Sequence, residues 1–441
     1  MSDYSNLIIG FGKAGKTLAK TLATRGESTM VVEKEASRYG GTCINVACIP
    51  TKILEHKARE RRSDDDAAAW YANAVTEKNA KTAALRAANY KMLIDAGVAV
   101  ENAAASFVDE HTVRLAYIDG HSRNVTADRI YINTGSYSFV PELPGIKDNR
   151  YIYTSTSLMD RTELPKSLVI VGGGYIGLEF ASYYRNFGSE VTLLHKGSDF
   201  IPREDKDITA AVLESFEKRG IKIVFNSDVL GFDGPNVNYS VNGEKQTIKA
   251  DAILIAIGRR ANTRGLELQN AGVNLNSRGE IAVDENLRTS QKNIFAMGDV
   301  KGGLQFTYIS IDDFRILTQN GRTTANRGAI PYTIFLDPPV SRVGLSESEA
   351  RNAGFDVKVK LLPANKIPKT LILEQREGVL KAIVDNATGQ ILGAHLFCAN
   401  SEEVINLIKL AMDMKVPYTH LRDSIFNHPT VTEGLNDLFA M

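Results

Sequence analysis

The chain has 441 residues, of which 43% are hydrophobic and 24% charged, a composition typical of globular domains. This length accommodates roughly three domains of ~150 residues each. Basic and acidic residues both number 52, so the formal net charge is zero. Neither nucleic acid nor an anionic membrane surface is therefore favoured as a partner.

The first apolar stretch, NLIIGFG, is short, lacks a basic leader and runs directly into glycines, which is not typical of a secretory signal. No stretch approaches the ~18 consecutive apolar residues that a membrane span needs. Three cysteines in the whole chain do not make a disulfide framework. We therefore expect a cytoplasmic protein with reduced thiols and no membrane partner.

The N-terminal segment has the pattern of a dinucleotide-binding unit. An apolar strand at 7–9 leads into Gly10, Gly12 and Gly15, which form G-x-G-x-x-G before a helical repeat of apolar residues. These glycines permit a tight turn, close approach to a pyrophosphate and close helix–strand packing, and the helix N-terminus faces the phosphates. A second strand ends at Glu33, 23 residues after Gly10, where an acid can accept the ribose hydroxyls.

The same pattern recurs in LVIVGGGYIGLEF, where Gly172, Gly174 and Gly177 repeat the triplet. The position equivalent to the acid of the first unit is His195, and Lys196 follows it. A basic pair suits a 2′-phosphate, so this second unit is expected to prefer NADPH over NADH.

Two such units in one chain imply two dinucleotides, FAD and the nicotinamide that reduces it. The strand of NIFAMGDV ends at Asp299, whose carboxylate can reach a flavin ribityl hydroxyl. The apolar strands of RIYINTGS and AILIAIGRR also end in small residues. Of these, Thr134 and Gly135 are expected to contact FAD, and Gly258 the nicotinamide nucleotide.

Each of these strands is expected to rejoin the sheet of one of the two nucleotide units after an excursion of the chain. This order places the second nucleotide unit inside the first. The predicted fold is α/β, with two Rossmann-like dinucleotide-binding domains and a C-terminal α+β domain. The predicted boundaries are 1–145 and 263–328 for the FAD-binding domain, 146–262 for the NAD(P)H-binding domain and 329–441 for the C-terminal domain.

The stretch GGTCINVACIP contains Cys43 and Cys48, which could be metal ligands, a structural disulfide or a redox pair. A structural zinc site wants four ligands, and Cys398 stands alone as the third cysteine, consistent with a buried core residue. A disulfide across so short a loop removes little unfolded-state entropy. A redox pair explains more, because two thiols beside a nucleotide unit can relay two electrons to an acceptor.

The residues around the pair support redox chemistry. Gly40 and Gly41 free the backbone to pass close to a flat cofactor, and Gly41 and Thr42 are expected to contact FAD. A helix is expected to begin near Cys43, where its positive end would favour a thiolate. Lys52 adds a cation.

The stretch GGTCINVACIPTK, the two glycine triplets, NIFAMGDV and the late HPTVTE together closely resemble the pyridine nucleotide-disulfide oxidoreductases, which include glutathione reductase, lipoamide dehydrogenase and mercuric reductase. The resemblance covers essentially the whole chain. Ala47 departs from the family, which usually has glycine there. The absence of a cysteine after Cys398 makes mercuric reductase a weaker match.

The resemblance implies a role for each matching residue. Cys43 would be the outer, substrate-facing thiol, and Cys48 would face the flavin as a charge-transfer thiolate. Lys52 would lie near the flavin and pair with Glu179, while Tyr175 would gate the nicotinamide pocket. Hydride would pass from NAD(P)H to FAD, and the reduced flavin would open the disulfide.

His428 and Glu433 are spaced as in the acid–base dyad of the family. An imidazole titrates near neutral pH and can shuttle a proton while a carboxylate orients it. In the family this dyad reaches the cysteines of the other subunit, so the resemblance implies a homodimer and a C-terminal dimerisation domain.

The electron acceptor is harder to predict, because fold and cofactor do not set it. GFGKAGKTLA, IPREDKDI, GGLQFTYISIDDFRI and PPVSRVGL resemble a subgroup associated with resistance to reactive chlorine and with reduction of Cu(II) to Cu(I). That resemblance implies a copper(II) reductase with transient copper at Cys43 and Cys48 and no permanent metal. A dihydrolipoamide dehydrogenase or small-disulfide reductase, and a flavin-bound redox sensor, remain as alternatives.

Overall fold

The structure is a computed structural model that describes residues 2–441. The N-terminal third alternates strands and helices in the order expected of a nucleotide-binding unit. Its elements are β1 (Tyr4–Ile9), α1 (Lys13–Thr24), β2 (Thr29–Glu33), α2 (Gly41–Val46), α3 (Cys48–Glu60), α4 (Ala67–Asp95), β3 (Ala99–Asn102), β4 (Ala104–Phe107), β5 (Thr112–Ala116), β6 (Ser122–Ile132) and β7 (Ser136–Ser138).

The middle of the chain forms a second such unit. Its elements are β8 (Ile152–Tyr153), α5 (Ser155–Asp160), β9 (Ser167–Val171), α6 (Tyr175–Phe187), β10 (Glu190–Leu194), α7 (Lys206–Lys218), β11 (Lys222–Val224), β12 (Ser227–Asp233), β13 (Asn236–Val241), β14 (Glu244–Lys249), β15 (Ala252–Ile255) and β16 (Arg259–Ala261).

The remaining elements return to the first unit and then build the C-terminal domain. They are β17 (Ile294–Ala296), α8 (Thr307–Thr318), β18 (Tyr332–Ile334), β19 (Val340–Gly344), α9 (Glu347–Asn352), β20 (Val357–Pro363), α10 (Pro368–Ile372), β21 (Val379–Asp385), β22 (Ile391–Phe397), α11 (Ser401–Asp413), α12 (Tyr418–Asp423) and α13 (Gly434–Leu438).

The first sheet has the order β3-β2-β1-β6-β5-β4, and β17 pairs with β6 in parallel. Strands β3, β2, β1 and the second half of β6 are parallel. Strand β17 follows the whole second unit in the sequence but pairs with β6 of the first sheet. The second unit is therefore inserted in the first. The predicted insertion is therefore confirmed, and the domain boundaries at single residues stay predictions.

The second sheet is parallel throughout, with the order β11-β10-β9-β15-β8. An antiparallel three-stranded sheet, β12-β13-β14, lies between two of its strands in sequence. The C-terminal sheet is antiparallel, with the order β18-β19-β22-β21-β20. The predicted α/β fold with a C-terminal α+β domain is confirmed.

A buried apolar cluster joins the two nucleotide units. Leu54 of α3 and Tyr71 of α4 pack with Leu178 and Tyr184 of α6, and the hydroxyls of the two tyrosines lie 2.8 Å apart. Burying each such side chain contributes about 1.5–3 kcal/mol. This contact holds α3, which begins at Cys48, against α6, which begins beside the second glycine triplet.

No helix within residues 2–441 combines the length and the apolar character that crossing a membrane would require.

Candidate active site

The first glycine triplet lies at the point where the strand order of the first sheet reverses, between the carboxyl ends of β1 and β6. Gly10 has a φ of 103°, and a Cβ there would lie 2.4 Å from the carbonyl oxygen of Asn133. A Cβ on Gly15 would lie 2.8 Å from the oxygen of Gly10. Only glycine fits at these positions, and ligands of such sheets bind in this crevice.

Asn133 is a residue that sequence reasoning missed. Its Oδ1 accepts a hydrogen bond from the Gly15 amide at 3.0 Å, and its Nδ2 donates to the Met297 carbonyl at 2.8 Å. It therefore ties the start of α1 to the chain after β17. The signal available in the sequence was a polar residue directly after a buried strand.

The second half of the crevice is a backbone contact between two glycine loops. A Cβ on Gly41 would lie 2.6 Å from the Cα of Gly12, and one on Gly135 would lie 3.4 Å from the Thr42 hydroxyl. A cradle lined by glycine backbone is what a flat, phosphate-bearing cofactor needs. The described residues therefore fit FAD.

The polar candidates for FAD are already hydrogen-bonded within the chain. Glu33 accepts the Phe11 amide at 3.0 Å, and burial raises the pKa of its carboxyl. The Thr134 hydroxyl donates to the Asn262 carbonyl at 2.7 Å. Asp299 lies beside β7, where its Oδ2 accepts the Ser136 hydroxyl at 2.8 Å.

Arg259 lies beside Ser136 and Asp299 in the first crevice, and sequence reasoning did not find it. Its Nε donates to the Ser136 hydroxyl at 2.8 Å, so it lies one hydrogen bond away from Asp299. Burial lowers the pKa of Arg259, and the Asp299 charge opposes that shift. The sequence signal was the basic pair that follows Gly258.

The second triplet repeats the first arrangement. A Cβ on Gly172 would lie 2.5 Å from the Ala256 oxygen, and one on Gly177 would lie 2.1 Å from the Gly172 oxygen. Gly174 is the N-cap of α6, and Gly258 has a φ of 125° after β15. The structure thus forms a second crevice at the carboxyl ends of β9 and β15, suited to a second dinucleotide.

The basic pair predicted for a 2′-phosphate lies just beyond β10. The ring of His195 packs against Gly173, and its Nε2 lies 3.0 Å from the Asp199 carbonyl oxygen. Lys196 is highly exposed, and its Nζ lies 3.0 Å from Oδ1 of Asp228. Exposed pairs of this kind are weak, so the ammonium remains free to bind an anion.

The two cysteines lie at a break between helices. Cys43 is the third residue of the six-residue α2, and Cys48 is the first residue of α3. Both are free thiols and half-buried. The Cys43 thiol donates a hydrogen bond to the Cys48 sulfur.

The electrostatics favour the thiolate at Cys48. The hydrogen bond from Cys43 lowers the pKa of Cys48 to about 6 against the effect of burial, with help from Thr307 and Lys52. The same hydrogen bond raises the pKa of Cys43. The expected helix near Cys43 is present as α2, but the expectation that Cys43 is the thiolate is wrong, because the interaction with Cys48 and burial raise the pKa of Cys43.

Thr307 was not predicted as a site residue. It is the first residue of α8, and its Oγ1 lies 3.3 Å from the Cys48 sulfur. Through Thr307, the segment that follows β17 contacts the Cys48 side of the redox pair. Its spacing of 259 residues from Cys48 explains why no local pattern could find it.

Lys52 and Glu179 are in contact, as the family resemblance implied. The Lys52 Nζ lies 2.7 Å from Glu179 Oε2 and 4.4 Å from the ring centre of Phe335. Glu179 Oε1 accepts the Phe335 amide at 3.0 Å. The pair joins α3 to α6 and is held from a third side by the C-terminal domain.

Tyr175 follows the second glycine loop and stands one helical turn before Glu179. Its hydroxyl donates to Glu204 Oε1 at 2.8 Å, and its ring stacks on Tyr332 with centroids 5.7 Å apart. Burial, aided by the Glu204 charge, raises the pKa of Tyr175 to about 12.

His428 and Glu433 form the expected pair. Nδ1 of His428 lies 2.8 Å from Glu433 Oε2, and the other carboxylate oxygen accepts the Thr430 amide at 3.2 Å. The imidazole is 66% exposed. No hydrogen bond joins it to either cysteine within residues 2–441, which leaves it available to a second subunit.

Residues 2–441 contain no group of three or more His, Cys, Asp or Glu side chains placed to hold a metal ion. Cys398 is fully buried, and burial raises the pKa of its thiol.

The fold and the site define a class: an enzyme with two dinucleotide crevices and a pair of neighbouring thiols. A family model described as "Pyridine nucleotide-disulphide oxidoreductase" matches residues 4–313, and the dimerisation-domain model of the same name matches residues 330–439. The chain belongs to the pyridine nucleotide-disulphide oxidoreductase family. It is therefore an oxidoreductase with a dimerisation domain, and the family implies FAD and NAD(P)H.

Two relatives cover nearly the whole chain. The Escherichia coli (strain K12) protein named "Probable pyridine nucleotide-disulfide oxidoreductase RclA" is 44% identical over 447 residues and is covered 100% in both chains. The dihydrolipoyl dehydrogenase of Geobacillus stearothermophilus is 33% identical, over 98% of this chain and 94% of its own.

A solved structure has the same fold over the same length. It is described as the Cu(II) complex of the HOCl-induced flavoprotein disulfide reductase RclA from Escherichia coli. It matches with a TM-score of 0.94 at 43% identity and covers 100% of this chain and 99% of its own. The resemblance seen in the sequence motifs is therefore confirmed.

Proposed function

We propose that this protein is an FAD-dependent NAD(P)H oxidoreductase whose Cys43–Cys48 pair reduces Cu(II) to Cu(I) in defence against reactive chlorine. The single observation that carries the redox proposal is the low-pKa Cys48 thiol, which lies beside Cys43 and Thr307 and within the electrostatic influence of Lys52 and Glu179. The likeness to a reductase solved as a Cu(II) complex supports the choice of acceptor.

The residues that would hold FAD are those of the first crevice. The glycine loops at Gly10–Gly15 and Gly40–Gly41 would take the pyrophosphate region, Glu33 the ribose, and Asp299 the ribityl chain. FAD, when bound, supplies the two-electron carrier between the nicotinamide and the disulfide. Lys52 and Glu179 would position this region by linking α3 and α6.

NADPH would occupy the second crevice. The backbone at Gly172–Gly177 would receive its pyrophosphate at the start of α6. His195 and Lys196 would hold a 2′-phosphate, which supports NADPH over NADH. Tyr175 would cover the nicotinamide end.

The dithiol chemistry balances without a resident metal. A dithiol that gives two electrons to two Cu(II) ions forms one disulfide, two Cu(I) ions and two protons, and thiolates favour Cu(I) as a ligand. Cys43 holds its proton tightly, so its reaction needs a base. His428 of a second protomer, oriented by Glu433, would accept that proton in a homodimer.

A second candidate is a dihydrolipoamide dehydrogenase or small-disulfide reductase. The similarity to dihydrolipoyl dehydrogenase favours it, and the same thiols and dyad would serve. A flavin-bound redox sensor is the third candidate, and rapid turnover with any acceptor would exclude it.

The test is anaerobic oxidation of NADPH and of NADH by the flavin-loaded protein, with Cu(II), glutathione disulfide and lipoamide as separate acceptors. Cu(I) formation is followed with a chelator. We expect Cu(II)-dependent turnover that is lost in Cys43→Ser and Cys48→Ser and kept in the control Cys398→Ala. Turnover with a disulfide and none with Cu(II) would move the protein to the second candidate.

A further inference from the structure

Tyr175 is held by two groups that belong to neither glycine loop. Its hydroxyl and that of Tyr332 both donate to the same oxygen, Oε1 of Glu204, at 2.8 and 2.6 Å. The two hydroxyls lie 3.4 Å apart, and the two rings are stacked. Glu204 is only 6% exposed, and its Oε2 has no hydrogen-bond partner within residues 2–441.

Hydrogen bonds to a buried carboxylate are stronger than those between neutral groups. The two tyrosine hydroxyls are the side-chain donors to Glu204, because its other oxygen has no hydrogen-bond partner within residues 2–441. The pKa of Tyr175 is raised to about 12, so its hydroxyl stays a donor across the neutral range. Both tyrosine hydroxyls therefore stabilise the buried carboxylate of Glu204.

The segment that carries Glu204 is anchored to the C-terminal domain at three consecutive residues. The Arg203 carbonyl accepts a hydrogen bond from Arg342, and Glu204 binds Tyr332. Asp205 Oδ1 accepts the buried Lys381 ammonium at 2.8 Å. The C-terminal domain thus fixes the segment that presents Glu204 to Tyr175 of α6.

The strand β18 completes the arrangement. Tyr332 at its start holds Tyr175, and Phe335 just after its end donates its amide to Glu179. Tyr175 and Glu179 are one turn apart on α6, on one face of that helix. The C-terminal domain therefore contacts both Tyr175 and Glu179 of α6.

We propose that Glu204 and Tyr332 form a latch that holds the Tyr175 ring across the nicotinamide site, so that they set how readily the nicotinamide gains access. This inference rests on the proposed function of Tyr175. For the ring to move aside, it must break its hydrogen bond to Glu204 and leave the stack on Tyr332. Glu204 and Tyr332 are positioning residues that act through Tyr175.

Loss of the latch is expected to ease access for the nicotinamide. In Glu204→Ala, which removes the hydrogen bond to a charged group, and in Tyr332→Leu, which removes the stacked ring, the KM for NADPH and the Kd for NADP⁺ should fall roughly three- to tenfold, because ring movement is then less opposed. The rate at which the acceptor reoxidises the reduced protein should not change, because neither residue contacts the thiols.

Non-additivity distinguishes the latch from a general structural effect. Tyr175→Phe should give a similar shift, and Tyr175→Phe combined with Glu204→Ala should shift no further than either alone. Glu204→Gln keeps an acceptor and should restore most of the original KM. Tyr239→Phe is the matched control, because it removes one tyrosine hydroxyl that donates to Gln246 in the remote three-stranded sheet.

An unchanged KM and Kd in Tyr175→Phe, additive shifts in the double variant, or an equal change in both half-reactions would overturn the latch. Tyr175→Phe keeps the ring, loses the hydrogen bond to Glu204, and carries the test if Glu204→Ala fails to fold. Calorimetric binding of NADP⁺ to the oxidised holoenzyme needs no acceptor, so failure of Cu(II) reduction and failure of the latch are separate results.

Discussion

Lys52 Nζ lies 2.7 Å from Glu179 Oε2, and this ion pair connects the helix that begins at Cys48 with the helix that begins at Tyr175. Both side chains are largely buried, at 29% and 13% exposure. One helical turn separates Lys52 from the reactive thiol. The pair therefore places a cation and an anion of opposite effect beside Cys48.

The two charges should tune Cys48 in opposite directions. The Lys52 charge lowers the pKa of Cys48 and the Glu179 charge raises it. We expect Lys52→Met to raise that pKa and Glu179→Gln to lower it, each by about one unit. The check is the alkylation rate of Cys48 against pH, resolved by peptide mass spectrometry. Shifts of the same sign in both variants would contradict the electrostatic assignment.

Thr307 should stabilise the Cys48 thiolate by hydrogen bonding. Its hydroxyl lowers the pKa of Cys48 from α8, so Thr307→Val should raise that pKa by roughly 0.5–1 unit. The thiolate forms as pH rises through its pKa of about 6. The pH of half-maximal alkylation should therefore move upward in Thr307→Val and stay near the original in Thr307→Ser. No movement in the valine variant would show that the contact has no electrostatic role.

His428 should serve only the thiol half of the cycle. Its exposed imidazole is oriented by Glu433 at 2.8 Å, so His428→Ala should slow reduction of the acceptor by about 10²-fold, and Glu433→Gln by less. Reduction of the flavin by NADPH should be unchanged. Rapid mixing under anaerobic conditions measures the two halves separately.

The predicted action of the His428–Glu433 dyad on the cysteines of the other subunit can be tested separately. A mixed dimer of Cys48→Ser and His428→Ala protomers should regain one working site if the dyad serves the partner's cysteines. If mixed dimers remain as slow as either parent, the dyad acts within its own chain or not at all.

The basic pair after β10 should select the nicotinamide nucleotide. His195→Glu should lower the kcat/KM ratio of NADPH over NADH by about tenfold, because a carboxylate repels a 2′-phosphate and accepts ribose hydroxyls. Asp228→Asn should raise the ratio slightly, because Lys196 then loses its exposed partner. An unchanged ratio in His195→Glu would place the 2′-phosphate elsewhere.

Glu55 should make the protein less stable as pH rises through neutrality. It lies one turn beyond Lys52 on α3, and burial raises its pKa to about 7 even though Arg59 pairs with it. The folded state thus binds an extra proton between about pH 4.5 and 7, so stability falls over this window. Glu55→Gln should remove this dependence and gain roughly 1–2 kcal/mol at pH 8 relative to pH 5, after partial screening. Thermal unfolding of both proteins across this range is the measurement, and parallel pH curves would refute it.

Local sequence patterns were sufficient to predict both nucleotide units. At Gly10 and Gly172 the chain must turn against a neighbouring strand end where no Cβ fits, so the residue type is set by local backbone geometry. The return of β17 to the first sheet was also predictable, because a buried strand ending in Gly298 and Asp299 repeats the pattern of the first unit. The redox pair was recognisable because its motif is short and contiguous.

Local geometry and the family resemblance gave different locations for the thiolate, Cys43 and Cys48 respectively. The helix that was expected to favour ionisation at Cys43 is present as α2, but the interaction between the two thiols raises the pKa of Cys43 and lowers that of Cys48. The preference also depends on Thr307, which approaches from 259 residues away. A pKa is set by the summed contacts around an atom, and no one-dimensional pattern contains that sum.

The sequence by itself determined the two crevices, the thiol pair and the spacing of His428 and Glu433, because each depends on residues that are neighbours along the chain. Only the tertiary structure decided that Asn133 would join α1 to β17 and that Glu204 would hold Tyr175 from the C-terminal domain. The Asn133 contacts join segments of one domain that are far apart in sequence, and the Glu204 contacts join two domains. Their geometry follows from how the sheets and helices pack, which depends on burial across the whole molecule and not on any local run of residues.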